Sequence, residues 1–582
     1  MRTKLIAIAI AGALFATGCA TSKPNLPVTQ QQQSFDDFDR TQRKSAPAVA
    51  DSVTGDRIAA ARSEPQNWLT YYGAYDGQRF SALDQINTST VAKLKPAWIF
   101  QAAPIGLIGS PATFSLEAAP IVVDGVMYLS GWDGYVWALS AETGETLWRY
   151  RHAIPLDLPL CCGNVNRGVA VAHGKVFYSS PSGHLLALDA KTGNVVWRQV
   201  WLDPRAGESS TMAPLIVKNM VIVGSSGAEY GVRGHIDAFD IQTGHRVWRR
   251  YAVPKPGEPG SETWGANDAW QRGGGSAWVT GTYDPQLNLL YWGTSNPSPD
   301  FDGRMRPGDN LYTNSVLALN PDDGSIRWHY QFTPHDVWDY SGVNENILFE
   351  QNGRPLLAHF DRNGYLFILD RQTGERLRVT QFGEQVTWGR IASDTGRISD
   401  RREPTREGTY ICPGPAGAKE WTHAAYSRGT GLLYAPVIDL CGTYKLIDTP
   451  FEEGMGYWGG DFIAKPEDSK GGYVKAYDPA TGRMVWSTKF AFPMVASVLA
   501  TAGDLVFAGE PNGDFNALDA RSGQILWKFK TGSGIHSNPV TYSVRGKQYI
   551  AVPTGWGGWL KGFAIDTFGA TRGSSVVVFA LP

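Results

Sequence analysis

One short phrase recurs seven times in this chain. It reads ALSAETGETLW at 138–148, ALDAKTGNVVW at 187–197, AFDIQTGHRVW at 238–248 and ALNPDDGSIRW at 318–328. It continues as ILDRQTGERLR at 368–378, AYDPATGRMVW at 476–486 and ALDARSGQILW at 517–527. Each copy is a short apolar strand, a polar turn ending in Gly, and a second strand; Trp stands four residues after the Gly in six copies and Arg378 replaces it in the fifth. The glycines at 144, 193, 244, 324, 374, 482 and 523 set a period near fifty, with insertions in the two long gaps. That period is too short for independent β-sandwiches and fits the blade of an antiparallel β-propeller. A lone blade exposes its apolar face, and radial stacking buries it with a Trp between neighbours. Seven copies plus the terminal strand SVVVFALP (575–582) predict an all-β, eight-bladed propeller over residues 61–582. The last strand is expected to pair with N-terminal residues and close the ring, with the active site at the mouth of the central channel.

The start of the chain is built differently. MRTKLIAIAIAGALFATGCATSKP opens with Arg2 and Lys4 and runs apolar from Leu5 to Phe15, which reads as a secretory signal too short to span a bilayer. Ala16-Thr17-Gly18-Cys19 resembles a bacterial lipobox, with Ala16 where Leu is usual. The expectation is a lipoprotein-type signal over 1–19, lipidation of Cys19, a polar flexible linker over 20–60, and a periplasmic protein tethered to the outer membrane. Ordinary cleavage, leaving a soluble periplasmic protein, is the alternative. A net charge of −2 and a pI near 6.6 give no electrostatic case for nucleic acid.

Assigning Cys19 to lipid leaves Cys161, Cys162, Cys412 and Cys441. In an oxidising compartment both pairs can form disulfides, and bridging Cys412 to Cys441 would contribute about 3 kcal/mol or more through chain entropy. The adjacent pair is harder to account for. Neighbouring Cα atoms lie about 3.8 Å apart, below the roughly 4.4–6.8 Å usual across a disulfide. A bond there closes a small ring and restrains almost nothing; one bond to each cysteine from elsewhere is the other arrangement.

Several further motifs carry chemistry. Glu117 lies in SLEAAP, Arg167 in CCGNVNRG, Thr211 in SSTMAP, and Ser226, Gly227, Ala228 and Glu229 in SSGAEYGVRG. Trp278 ends ETWGANDAWQRGGGSAW, where Gly273-Gly274-Gly275 lets backbone approach closely. Asn296 lies in YWGTSNPSP, Asp339 in TPHDVWDYSGVNEN, and Arg362 in HFDRNGYLFILD. Singly, each is ordinary surface, turn or core chemistry. In this order, with the repeats and the adjacent cysteines, they resemble the pyrroloquinoline quinone (PQQ) dependent alcohol dehydrogenases, of the methanol and ethanol dehydrogenase kind, across roughly residues 60–582.

The resemblance implies a site. A vicinal Cys161–Cys162 disulfide would cover one face of the planar quinone and Trp278 the other. Arg167 would pair with a PQQ carboxylate, and Glu117, Thr211, Ser226, Gly227 and Ala228 would contact the ring substituents. Glu229, Asn296 and Asp339 would ligate a metal ion that also binds PQQ, with Arg362 near the reactive carbonyls. Asp339 would be the catalytic base. Asp336 stands three residues earlier, and the WDY match favours Asp339. Lanthanide-using relatives carry a second aspartate two positions after the catalytic one; Ser341 stands there, which points to Ca²⁺. Glu420, in PGPAGAKEW, departs from the Asn frequent in the family and would repel the anionic cofactor, sit protonated, or join the metal shell.

The implied activity is oxidation of an alcohol, small or polymeric, to an aldehyde or ketone by hydride transfer to Ca²⁺-bound PQQ. The chain has no CxxCH haem motif, so electrons would pass to a separate periplasmic cytochrome c. The alternatives are a non-enzymatic outer-membrane propeller scaffold lipoprotein and a PQQ-dependent aldose dehydrogenase.

Overall fold

Each repeat folds as the two outer strands of an antiparallel sheet. In the first, Ile121–Val123, Val126–Ser130, Tyr135–Ser140 and Thr146–Arg151 pair in that order. The second strand is buried throughout, while the fourth shows one face to solvent. The computed structural model describes residues 44–102, 115–155, 157–556 and 573–582. These contain seven four-stranded sheets, one five-stranded sheet and two small extra sheets. Helix is confined to brief turns such as Gly55–Ala59. The all-β reading therefore holds.

The turn inside each repeat explains its sequence. Asp189 Oδ1 accepts from the backbone N–H of Lys191 and Thr192 and from Thr192 Oγ1, at 3.1, 2.8 and 2.8 Å. The chain then needs a left-handed residue, and Gly193 takes φ 72°. A Cβ on Gly193 would also lie 2.7 Å from the Trp148 ring, because the Trp of one repeat seats on the Gly of the next. The same seating joins Trp98 to Gly144, Trp197 to Gly244, Trp248 to Gly324, Trp328 to Gly374 and Trp486 to Gly523. Trp148 Nε1 donates to the Ala190 carbonyl at 2.9 Å and Trp248 Nε1 to that of Pro321 at 2.8 Å. Arg378 occupies the Trp position opposite Gly482, packing its methylenes there and donating to the Thr481 carbonyl at 3.0 Å.

The eighth sheet joins the two ends of the described chain. Ser574–Ala580 lies between Lys95–Gln101 and Lys547–Gly555, pairing antiparallel with both. The expected partnership between the terminal strand and N-terminal residues is present, and Trp98, which seats on Gly144, comes from the N-terminal member. One apolar cluster holds Leu129 and Trp137 of the first sheet, Phe507 and Phe515 of the five-stranded sheet, and Val578 and Phe579 of the eighth.

Two features depart from or extend the sequence reading. Residues 44–60, expected to be flexible linker, carry the turns Ala48–Ser52 and Gly55–Ala59 instead, and Ala50, Val53 and Ile58 are buried in the largest apolar cluster. Three apolar side chains at that spacing stabilise an ordered strap, which a polar tether lacks. Cys19 and the rest of 1–43 lie outside the described residues. The insertion after the fifth repeat builds its own sheet from Thr409–Ile411, Cys441–Leu446 and Gly460–Lys465. A Cys412–Cys441 disulfide, Cα atoms 4.6 Å apart, pins two of its strands.

Candidate active site

A cavity of about 530 Å³ collects most of the residues singled out in the sequence: Cys161, Cys162, Arg167, Thr211, Ser226, Gly227, Glu229, Trp278, Asp339 and Arg362 all line it. Cys161, Cys162, Arg167, Thr211, Trp278 and Asp339 come from connections between successive sheets, while Ser226, Gly227, Glu229 and Arg362 come from loops joining the second and third strands within a sheet, so the stacking of the sheets is what brings them together. Cys161 and Cys162 are bonded to each other, Cα atoms 3.8 Å apart, and their loop forms one wall with Leu160 and Val165.

Cationic and aromatic groups are interleaved at the base. The Arg167 guanidinium lies 4.9 Å from the Trp278 ring centre and 4.4 Å from that of Trp421. Its Nη1 donates to Thr211 Oγ1 at 2.5 Å, and Nη2 pairs with Glu117 Oε2 at 3.2 Å. Glu117 does not line the cavity; it stands behind Arg167 and holds it. Burial outweighs the pull of Arg167 and pushes the Glu117 carboxyl up to about 7. The Arg362 guanidinium lies 5.5 Å from the same Trp278 ring centre and donates to the carbonyls of Asp339 and Pro415 at 3.3 and 3.1 Å. Its Nη2 pairs with the buried Glu420 carboxylate, whose other oxygen accepts from the Trp421 backbone N–H. Glu420 is therefore the counter-charge of Arg362.

The acidic side is built from three loops. Gly227, at φ 118°, leads into Ala228–Tyr230; a Cβ there would lie 2.2 Å from the Gly207 carbonyl oxygen, so only glycine lets this turn carry Glu229 to the cavity. Ala228 sits behind it, its carbonyl accepting from Ser298 Oγ. Asp339 adopts φ 63°, a left-handed conformation costing on the order of 1–3 kcal/mol for a side-chain-bearing residue, and its Oδ1 lies 3.7 Å from Arg362 Nη1. Asp336 is different: its oxygens accept from the N–H groups of Trp338 and Tyr340 at 2.9 and 2.8 Å and from Asn314 at 3.0 Å. These bonds commit both of its oxygens to the surrounding loops, and Asp339 is the one of the two that lines the cavity.

Asn296 is buried just outside the lining. Its backbone oxygen accepts from Gly275 N–H at 2.9 Å, an approach that the glycine run permits. Its side chain accepts from Ser341 Oγ and donates to Asp300 Oδ1, both at 2.9 Å. Asp300 does line the cavity and is only 2% exposed. Sequence reasoning missed it, because NPSPD reads as a turn; an Asp four residues after a proposed metal ligand is the signal that was there. Burial, then the charges of Asp339 and Glu229, raise the Asp300 carboxyl well above the ordinary range, and burial likewise raises Asp339 and Glu229. Trp421, Trp458 and Phe462, contributed by the insertion, were missed too.

These residues fit the expected groups. Arg167 Nε and Arg362 Nε, both near the Trp278 ring, are buried without a hydrogen-bond partner, which suits a flat polyanion. The three carboxylates face a space where Arg362 is the nearby positive charge, and hard oxygen donors of this kind suit a hard cation. Among the described residues, no three His, Cys, Asp or Glu side chains already close on one point at ligand distance.

Comparison with known proteins agrees. The family model for the glucose/ethanol/alcohol dehydrogenase β-propeller domain matches residues 68–384 and 487–550. The quinoprotein alcohol dehydrogenase PedH of Pseudomonas putida is 38% identical over 544 residues, covering 88% of this chain and 90% of that one. The lanthanide-dependent methanol dehydrogenase of Methylorubrum extorquens is 35% identical over 92% of this chain and 97% of its own. The solved structure of a europium-containing methanol dehydrogenase superposes with a TM-score of 0.84 at 35% identity, covering 90% of this chain and all of that one. The chain belongs to the PQQ β-propeller dehydrogenases. Within that class it is a PQQ-dependent alcohol dehydrogenase, and its cofactors are PQQ and a metal ion.

Proposed function

We propose that this protein is a periplasmic quinoprotein that oxidises an alcohol to an aldehyde or ketone and passes the electrons to a separate cytochrome c. The observation that carries the reading is the single cavity that gathers the Cys161–Cys162 disulfide, Trp278, Arg167, Arg362 and Asp339. The eight sheets, the chain of tryptophan–glycine seats and the cluster uniting the first, five-stranded and eighth sheets support a closed eight-bladed ring around that cavity.

When bound, PQQ supplies the two-electron acceptor and the metal ion polarises it. The protein's part is placement and proton handling. Trp278 and the vicinal disulfide bound the slot for the planar group; Arg167, braced by Glu117 and Thr211, receives a carboxylate, and Ser226, Gly227 and Ala228 shape the edge beside it. Glu229, Asn296 and Asp339 offer the carboxylate and amide oxygens that a hard cation, calcium or a lanthanide, takes. Asp339, held in the field of Arg362, accepts the hydroxyl proton of the alcohol. Arg362, locked by Glu420, keeps positive charge beside the reacting oxygens.

The absence of CxxCH in the sequence and the words cytochrome c in the name of a methanol dehydrogenase relative support the external acceptor. The signal-like start ending in Cys19 and two disulfides support the periplasm and a lipid tether. The test is dye-linked oxidation with added PQQ and Ca²⁺, comparing simple alcohols with glucose. Wild type should turn over alcohols, and Asp339→Asn should bind PQQ yet lose turnover by about 10³-fold; wild-type turnover in that variant would remove Asp339 from the role of base.

A further inference from the structure

The calcium reading takes three ligands and leaves Asp300 without a task. Asp300 is one of the least expected residues in the molecule: a carboxylate 2% exposed, at the wall of the cofactor cavity. A buried carboxylate ordinarily has a cationic partner or a full set of donors. Asp300 has neither. One oxygen accepts from the Asn296 amide at 2.9 Å, and among the described residues no donor reaches the other. Arg304, the nearest guanidinium by sequence, pairs with Asp302 and Asp448, and Arg306 is committed to the Pro299 and Asp336 carbonyls and to Asn310.

Asp300 shares its wall with Glu229 and Asp339. Three carboxylates thus border one space, while Arg362 is already spoken for by Glu420. PQQ adds further negative charge when it binds. Without a cation such groups repel, and among the described residues no three of them close on a point. A cation that draws them in gains with every unit of charge it carries, because hard-cation affinity follows the number of anionic ligands. Ser341 does not compete for this place; its hydroxyl donates to Asn296 Oδ1, and Asn296 links it to Asp300.

We propose that Asp300 is a fourth protein ligand of the metal ion, and that its added charge makes the site select a trivalent lanthanide ion over calcium. The inference rests on the cofactor site described above and concerns which ion it holds. Replacing a divalent by a trivalent ion raises the attraction of each carboxylate by half, so removing one carboxylate weakens the trivalent ion more.

The test is direct binding to the full chain reconstituted with PQQ. Terbium(III) is titrated by tryptophan-sensitised luminescence, with Trp278 and Trp421 at the cavity as donors, and Ca²⁺ is added as competitor. Melting temperature with each ion gives a second readout independent of turnover. Wild type should hold Tb³⁺ at least 100-fold more tightly than Ca²⁺. Asp300→Asn, which keeps volume and the contact region of Asn296, should lose at least tenfold in Tb³⁺ affinity and less in Ca²⁺ affinity; Asp300→Ser should do the same should the amide misfold the loop. Equal losses for the two ions, or an unchanged Tb³⁺ titration in both variants, would overturn the proposal. Glu229→Gln separates the two levels: if it too leaves Tb³⁺ binding unchanged, the metal site itself is misplaced, whereas loss in Glu229→Gln alone condemns only Asp300.

Discussion

Replacing Glu420 by Gln exchanges one oxygen for nitrogen at almost constant volume. Both oxygens of Glu420 accept from donors, one from Arg362 Nη2 and one from the Trp421 backbone N–H. Glu420 and Arg362 are 3% and 5% exposed, so water does not make good a lost partner. Gln brings one acceptor and one NH₂; whichever way it turns, the NH₂ meets a donor. Breaking a buried pair by neutralising one member costs about 3–5 kcal/mol. Arg362 retains two carbonyls at 3.3 and 3.1 Å and the Asp339 carboxylate at 3.7 Å, which places Glu420→Gln toward the lower end of that range. Loosening Arg362 by about an ångström should lower turnover on the order of 10²-fold. Glu420→Asp keeps the charge one methylene short and should fall between. Denaturant unfolding at fixed PQQ and metal, with dye-linked turnover on the same samples, reads both effects. A Gln variant that unfolds at the wild-type midpoint and turns over normally would refute the idea that Glu420 holds Arg362.

Other expectations follow from the same geometry. Burial holds the Glu117 carboxyl up at about 7 from an ordinary 4.5. The native state then keeps a proton that the unfolded chain has released, so the stability it contributes is whole below 4.5 and lost as pH rises to 7. Cofactor-free wild type should lose up to about 1.4 kcal/mol per pH unit across that window relative to Glu117→Gln; parallel pH–stability curves would contradict this. Removing the Cys412–Cys441 bridge by double Ala substitution should cost about 3.5 kcal/mol, from a separation of 29 residues, read as a shifted unfolding midpoint; an unshifted midpoint would contradict it. Replacing Cys161 and Cys162 by Ser should move stability by less than about 0.5 kcal/mol yet speed PQQ release on dilution, and a large stability loss with unchanged release would reverse the assignment of that bond.

What the sequence made legible was local. Strand, Asx turn, glycine and tryptophan fall within eleven residues, and the same few contacts recur, so the sheets and even the Arg378 exception could be located on the page. Cys161, Arg167, Glu229 and Asp339 were legible because each sits in a distinctive motif on a loop between strands. The role of Glu420 was not, since its partner lies 58 residues away and nothing local announces it. Asp300 was hidden by the turn-like run around it, and Trp421, Trp458 and Phe462 ride on an insertion whose course depends on its own sheet and disulfide. The strap at 44–60 was read as linker because its composition is polar on average, although three apolar residues suffice to seat it.

The eighth sheet has a temporal consequence. Its first strand to be synthesised, Lys95–Gln101, waits for Ser574–Ala580, which is made after every other sheet. A prematurely terminated or C-terminally clipped chain lacks the strand that lies between its neighbours, and loses two pairings at once. Stable holoenzyme should accumulate only from chains that include Ser574–Ala580, so this seven-residue strand acts as a proofreading mark on biosynthesis.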